Sequence, residues 1–269
     1  MPLLRRITRR LRREQASIIS GARARLMRLS WDLPATDLGD LVDPDGVDLA
    51  RAILEDAGVP PYAGSSNHDD LLPVLTIARS RQPRIIVELG TSYGNLTANF
   101  CRQCPKAKVY TVNALPEQQT GGITTHSLGA EEIGRVYRAN GYSNRVVQIL
   151  ANTRDLAPAS ILQGSLVDLA VIDACHDTDY VVGDFQKLRP HMRPGGLVLF
   201  HDTHPSMKRH LAGSYVACML LRREGHDIRH LENTWWGLWE APDNERPGTL
   251  EARMDSQRRA VSIGAPTPM

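Results

Sequence analysis

Two pairs of acidic and histidine side chains follow apolar runs in the second half of the sequence. Asp173 and His176 come after one run, and His201 and Asp202 come directly after a later one. If both runs are parallel strands, their carboxyl ends meet at one edge of a sheet, and we expect the four side chains to lie together. Carboxylate oxygens and imidazole nitrogens bind divalent cations. The spacing predicts a metal site of Asp173, Asp202 and His201.

Such a site would suit chemistry on a hydroxyl group, which is a poor nucleophile while it is protonated. A bound cation lowers the pKa of the hydroxyl and holds its oxygen in place. His176 titrates near neutrality, and we predict that it is the general base. The alternatives are that Asp173 only caps a helix, that His176 is an ordinary loop residue, and that His201 and Asp202 form a turn. The co-occurrence of these residues at two strand ends favours the functional interpretation.

A second candidate site is the turn that follows the apolar run Ile85–Leu89. Within and after that run, Glu88, Gly90, Ser92 and Gly94 give the order E-x-G-x-x-x-G, and a helical pattern follows. Glycine permits both a tight turn and the close approach of a ligand to the backbone. The order differs from the GxGxxG of dinucleotide-binding folds. The alternative is a glycine-rich turn that binds no ligand.

This loop resembles the first motif of class I methyltransferases, where it wraps the methionine end of S-adenosylmethionine. Asn113 ends the next strand, at the position where such folds usually carry an acidic residue that accepts hydrogen bonds from the ribose hydroxyls. An asparagine can accept only through its amide oxygen. The resemblance implies the following cofactor-binding residues: Glu88, Gly90, Ser92, Gly94, Asn113 and Asp173.

The block 171–202 carries a more specific resemblance. It contains I-D-x-x-H and then R-P-G-G-L-V-L-F-H-D, and it is similar to the macrocin O-methyltransferase and cephalosporin hydroxylase-like family of bacterial sugar and natural-product O-methyltransferases. The similarity covers roughly residues 65–240. It implies Mg²⁺ or another divalent cation, with Asp173 and Asp202 as ligands, His176 as base, and methyl transfer to a hydroxyl of a sugar, glycolipid or polyhydroxy metabolite. His201 stands where the metal-dependent sugar enzymes often have an acid, so either His201 or a water completes the site.

A sheet must position these motifs. Apolar runs predict strands at seven places: 84–89, 108–112, 146–150, 166–172, 196–200, 227–231 and 235–239. Helical patterns alternate with them, at 71–80 and near 93–103, 130–140, 178–190 and 206–223. The alternation predicts an α/β, Rossmann-like, doubly wound sheet of seven mostly parallel strands, with an antiparallel pair at its edge.

The chain is predicted to have four parts. These are a basic amphipathic helical arm (1–30), a connector and lid (31–70), the S-adenosylmethionine-binding domain (71–241) and a flexible tail (242–269). The arm carries nine arginines and one acidic residue, beside a narrow apolar stripe of helical period. We interpret it first as a helix that packs on the body or forms a homodimer, second as a peripheral membrane contact, and third as a mitochondrial transit peptide.

Composition narrows the functional classes. No run of apolar residues is long enough to span a membrane, no secretory signal follows the early arginines, and four cysteines do not form a disulfide framework in a chain of 269 residues. A cytoplasmic location is therefore expected, and the family resemblance implies a small-molecule or saccharide acceptor. Outside the arm, acidic residues outnumber basic ones, which argues against nucleic acid as a partner. The alternatives are an RNA methyltransferase that uses the arm and a non-catalytic binding protein of the same fold.

Deletion of residues 1–30 is predicted to leave cofactor binding unchanged, because the arm contains none of the predicted site residues. The deletion should change the oligomeric state or the binding to anionic liposomes. Calorimetry with S-adenosylmethionine, light scattering and liposome sedimentation measure the three quantities. A folded, truncated protein that loses cofactor affinity would contradict this division of roles.

Overall fold

The structure is a computed structural model that describes residues 33–42, 48, 68–120, 127–204 and 212–243. The predicted arm lies outside the described residues. Most of the predicted connector and nearly all of the predicted tail also lie outside them. All candidate site residues are described.

The described strands and helices follow the predicted alternation. The strands are β1 (Ala35–Thr36), β2 (Ile85–Leu89), β3 (Lys108–Asn113), β4 (Val146–Leu150), β5 (Val167–Ile172), β6 (Met192–Phe200), β7 (Arg229–Leu231) and β8 (Gly237–Glu240). The helices are α1 (His68–Arg81), α2 (Asn95–Gln103), α3 (Arg135–Ala139), α4 (Pro158–Leu162), α5 (Thr178–Leu188) and α6 (Ala212–Arg223). Short 3₁₀ turns lie between several of them. None of the described helices is long and apolar enough to cross a membrane.

All eight described strands form one sheet in the order β1-β7-β8-β6-β5-β2-β3-β4. Strand β8 is antiparallel to both of its neighbours, and the other pairings are parallel. The predicted fold class, a mostly parallel Rossmann-like sheet, is therefore confirmed.

The sheet differs from the prediction at one edge. Strand β8 lies between β6 and β7 instead of at the edge, and β1 adds an eighth strand beyond β7. The backbone N–H of His230 donates to the carbonyl of Pro34 at 2.8 Å, and that of Glu232 donates to Thr36 at 3.0 Å. A strand of two residues is too short for a periodic pattern, so the sequence gives no signal for β1.

Side chains from the two faces of the sheet enter separate cores. Ile86 and Val171 face the core that contains Leu75 of α1 and Phe100 of α2. Val87 and Ile172 face the other core, with Phe185 of α5 and Tyr215 of α6. Both faces of the parallel strands are covered, which explains why these strands appear in the sequence as continuous apolar runs.

The sheet has its topological switch point between β2 and β5. From β2 the chain continues to β3 on one side, and from β5 it continues to β6 on the other. In open sheets of this kind, the crevice outside the carboxyl ends of such a strand pair is where ligands bind. The segment after β2 begins with Gly90 and the segment after β5 begins with Asp173, so both predicted sites lie at this crevice.

Candidate active site at the carboxyl ends of β2, β5 and β6

The loop after β2 contacts the segment after β5 directly. Gly90 has a φ of +112°, and its N–H donates to the carbonyl of Val112 at 2.8 Å. A Cβ at this position would lie only 2.1 Å from the carbonyl oxygen of Asp173. Residue 90 must therefore be glycine because of the protein backbone opposite it, a reason independent of any ligand.

Gly94 begins α2 and is also confined by protein. Its φ is +84°, and a Cβ there would lie 2.8 Å from the Cα of Gly134. The carbonyl of Ser92 accepts a hydrogen bond of 2.9 Å from the N–H of Gly134. The loop thus packs against the segment before α3, and the sequence pattern, which assigned both glycines to ligand approach, contained no sign of these contacts.

Asn113 supports the loop through its side chain. Its Oδ1 accepts a hydrogen bond of 2.9 Å from the N–H of Ser92, while its Nδ2 donates to the carbonyl of Ala114 at 3.0 Å. Ser92 has a φ of +49°, in the left-handed region that side chains rarely adopt. An aspartate at position 113 could not donate the second bond, which is a structural reason for the asparagine.

Glu88 is buried beneath the loop, at 1% exposure. Its Oε2 accepts hydrogen bonds from the hydroxyls of Thr97, in the first turn of α2, and Thr111, on β3. Burial raises the pKa of Glu88 to about 7, although the two threonines lower it in part. The carboxylate therefore joins β2, β3 and α2, and any contact with a cofactor remains a prediction.

Further polar side chains extend this support and were not predicted. The hydroxyls of Thr91 and Thr111 lie 2.7 Å apart. Gln148 of β4 donates to the Thr91 hydroxyl at 2.9 Å and to the carbonyl of Thr111 at 3.2 Å. An isolated polar residue in an apolar strand run is the one signal that could have identified Gln148.

The four side chains predicted to lie together at the carboxyl ends of β5 and β6 do so. They form the rim of the candidate site and are Asp173, His176, His201 and Asp202. His201 Nδ1 lies 3.0 Å from Asp173 Oδ1 and 3.6 Å from Asp202 Oδ1. His176 Nε2 lies 2.9 Å from Asp202 Oδ2 and 3.4 Å from Asp173 Oδ1. Asp173, His176 and His201 each offer one ligand atom within 4.8 Å of the others, as residues that hold a metal ion do.

The charges of the rim stabilise one another. Burial alone would raise the pKa of Asp173, but His201 and His176 offset this effect and hold that pKa well below its usual range. Burial alone would lower the pKa of His176, but the carboxylates of Asp173 and Asp202 raise it to about 9. The two carboxylates therefore favour the protonated form of the His176 imidazole.

Three buried side-chain atoms of the rim are left without an aligned hydrogen bond among the described residues. These are Nε2 and Nδ1 of His176 and Oδ1 of Asp202. Nε2 of His176 faces two carboxylates at short distance, yet its geometry does not satisfy a hydrogen bond to either. Buried polar atoms without partners are costly. A cation bound beside Nε2 of His176 would give that atom a partner.

Neighbouring elements fix the rim side chains. Asp202 has a φ of +57°, which turns the chain as it leaves β6. Gly213 of α6 lies so close to the backbone of His176 that a Cβ there would come within 1.9 Å of the His176 carbonyl oxygen. The buried ring of Trp236 packs 4.4 Å from the ring of His201. The contacts of Gly213 and Trp236, which the sequence did not reveal, hold the His176 backbone and the His201 ring in position.

Comparison with known proteins finds a family similarity in the middle of the chain. Residues 87–203, somewhat less than half of the chain, match the family described as a methyltransferase domain. The matched segment begins in β2 and ends just after β6, so it contains the loop, Asn113 and all four rim residues. The matched segment is therefore similar to a methyltransferase domain, and the strand order of the described sheet agrees with that similarity.

Individual proteins resemble parts of the chain. The O-methyltransferase TomG of Streptomyces achromogenes, solved in complex with SAM, shares 19% identity, with a TM-score of 0.50 over 75% of this chain and 92% of that one. The SAH-bound Podospora anserina methyltransferase PaMTH1 shares 15% identity, with a TM-score of 0.50 over 73% of this chain and 85% of that one. These likenesses show the fold.

A curated relative, the uncharacterized protein y4gI of Sinorhizobium fredii (strain NBRC 101917 / NGR234), is 32% identical over 127 residues. The aligned region is 47% of this chain and only 14% of y4gI. The chain therefore spans a small part of the relative's length.

Substitution Glu88→Gln should make stability less dependent on pH. The folded-state pKa of Glu88 is raised, so its stabilising contribution is present at low pH and is lost as the pH rises from about 4.5 through about 7. A glutamine keeps an acceptor for the threonine hydroxyls without a buried charge. At pH 8 the variant should be more stable than the wild type by on the order of 2 kcal/mol, and the difference should shrink at pH 5. Urea unfolding at both pH values measures this.

The matched control for Glu88→Gln is the exposed Glu224→Gln, which should leave the free energy of unfolding nearly unchanged at both pH values. An equal free-energy difference between wild type and Glu88→Gln at pH 5 and pH 8 would contradict the assigned burial effect.

Substitution Gly90→Ala should destabilise the protein and displace the loop from Asp173, because the added methyl group has no space beside the Asp173 carbonyl. The matched control is Gly141→Ala, since Gly141 also has a positive φ, +76°, but a methyl group added there would meet no other part of the described chain within 4 Å. The control should lose only about 1 kcal/mol from its backbone conformation, and Gly90→Ala about 3 kcal/mol or more. Urea unfolding checks both values. Equal losses would show that the contact with Asp173 is unimportant.

Proposed function

We propose that this protein is an S-adenosylmethionine-dependent O-methyltransferase assisted by a divalent cation. One observation supports this above all others: a cluster of two carboxylates and two imidazoles lies beside the loop after β2, at the switch point of a methyltransferase domain. The solved TomG structure, an O-methyltransferase in complex with SAM, has the same fold.

The cofactor would lie in the crevice between β2 and β5. Gly90, Ser92 and Gly94 shape the loop on one side, and Asn113 holds that loop in place. Because Gly90 touches the Asp173 backbone, the methyl donor would lie next to the rim. Asn113 Oδ1 already accepts one hydrogen bond and has a second lone pair, so it can accept another from a ribose hydroxyl.

The distances between the candidate ligand atoms suit a bound cation. Two ligand atoms that each lie about 2.1 Å from one ion are about 3.0 Å apart at a right angle and about 3.4 Å apart at a tetrahedral angle. Asp173 Oδ1 lies 3.0 Å from His201 Nδ1 and 3.4 Å from His176 Nε2. We therefore assign Asp173, His201 and His176 as protein ligands. Asp202, also predicted as a ligand, lies close enough to orient both histidines.

This assignment changes the role expected for His176. A general base must reach the hydroxyl of the acceptor, but the His176 side chain is only 3% exposed and its Nε2 faces Asp173 and Asp202. The geometry thus favours a ligand over a base. A bound cation would lower the pKa of the acceptor hydroxyl and so reduce the demand for a separate base.

The acceptor proposed is a hydroxyl of a sugar, glycolipid or other polyhydroxy metabolite, since these groups need activation before they can attack a methyl sulfonium. The chain's own contribution is to hold the acceptor oxygen beside the methyl donor, at the rim where Asp173 and His201 are the most exposed ligands. Such positioning supplies a large part of the rate enhancement in two-substrate reactions.

Calorimetry with S-adenosylmethionine and with Mn²⁺, each alone and together, tests the proposal without an acceptor. Wild type should bind both. Asp173→Asn and His176→Ala should each weaken Mn²⁺ binding about tenfold or more while S-adenosylmethionine binding stays within about threefold, because the first removes the negative charge of a ligand and the second removes a ligand atom. The matched control is Asp168→Asn, at the opposite end of β5, which should leave Mn²⁺ affinity unchanged.

Three outcomes distinguish the assignments. A folded wild-type protein that binds no S-adenosylmethionine would disprove the proposed function. Normal Mn²⁺ affinity in His176→Ala, combined with methyl transfer reduced by about 10²–10⁴-fold, would restore the general-base role. Full methyl transfer after exhaustive chelation would remove the metal from the mechanism and leave the cofactor assignment intact.

A further inference from the structure

A tryptophan stands exposed beside the candidate metal site. The Trp235 side chain is 42% exposed, and Leu150 is the other exposed large apolar side chain among the described residues. The ring of Trp235 lies 6.2 Å from the ring of His201. Exposed indole rings next to a polar site are typical of ligand contacts, because the ring offers a large apolar face at low cost in conformational entropy.

The backbone holds Trp235 at this position. Its carbonyl oxygen accepts hydrogen bonds from both the N–H of Thr203, at 3.0 Å, and the Thr203 hydroxyl, at 3.2 Å. Thr203 directly follows Asp202, so the segment that carries Trp235 is tied to the rim itself. The adjacent Trp236 is buried and packs on His201. The two neighbouring indoles therefore differ: one supports His201 from within, and the other faces solvent.

The donor set is most exposed at Asp173 and His201, and Trp235 lies next to His201. The side chains of His176 and Asp202 are 3% and 4% exposed, while those of Asp173 and His201 are 19% and 11% exposed. A molecule that reaches the donor atoms from solvent must therefore approach past Asp173 and His201. Trp235 lies beside His201 on that approach.

We propose that Trp235 is the stacking surface for the methyl acceptor, and that the acceptor carries its reactive hydroxyl on a ring with an apolar face. The inference rests on the proposed function. The ring would lie on the indole while its reactive hydroxyl faces Asp173 and His201. Two kinds of acceptor have these features. A catechol offers an aromatic face, and a pyranose offers a face of C–H groups.

The experiment measures binding of two probes, 3,4-dihydroxybenzoate and methyl β-D-glucopyranoside, to full-length protein loaded with Mn²⁺ and S-adenosylhomocysteine. Calorimetry gives the dissociation constants, and tryptophan fluorescence reports contact with the indole. Wild type should bind at least one probe with a change in fluorescence. Trp235→Ala should weaken that binding about tenfold, whereas Trp235→Phe, which keeps an aromatic face, should remain within about threefold of wild type.

Leu150→Ala is the matched control, since Leu150 is similarly exposed but lies at the end of β4, and it should not change probe affinity. Binding of 3,4-dihydroxybenzoate alone would identify an aromatic acceptor, and binding of the glucopyranoside alone would identify a saccharide. Wild-type affinity in Trp235→Ala, or no binding of either probe to the loaded wild type, would overturn the inference. Because Mn²⁺ and S-adenosylmethionine affinities are measured separately, either result would leave the proposed function standing.

Discussion

One backbone contact organises the candidate site: the absent side chain of Gly90 makes room for the Asp173 carbonyl. This contact fixes the distance between the loop after β2 and the rim after β5 at the switch point. The N–H of Asp173 also donates to the carbonyl of Leu89 at 2.8 Å, so the two strand ends are joined from both directions. In the proposed function, a methyl donor held by the loop and an acceptor held at the rim would be set relative to each other by main-chain atoms, which move less than side chains.

Two acidic side chains lie close to this contact and are stabilised differently. Asp173 has two imidazoles beside it, and they hold its pKa well below the usual range. Glu88 has only threonine hydroxyls as side-chain partners among the described residues, and burial raises its pKa to about 7. The surroundings of Asp173 favour a negative charge where a cation could bind. The surroundings of Glu88 disfavour a negative charge beneath the loop.

The fold was largely predictable because its parallel strands are buried on both faces and therefore appear as continuous apolar runs. The grouping of Asp173, His176, His201 and Asp202 followed from the same fact, since residues after parallel strands meet at one edge. The detailed contacts were not predictable. Asn113 bonds to the backbone of a residue far away in the sequence, and the burial of His176 depends on Gly213 of α6. Such contacts arise from packing between elements, which periodicity does not record.

The pairing of β1 with β7 joins segments from opposite ends of the described chain. Closing so long a loop costs entropy that only a few backbone hydrogen bonds offset, so we expect this edge to form after the central strands during folding. For the same reason it should be the first part of the sheet to open under native conditions. Amide exchange at His230 and Glu232, whose N–H groups bond to β1 and its flank, should therefore be faster than exchange within β2 or β5.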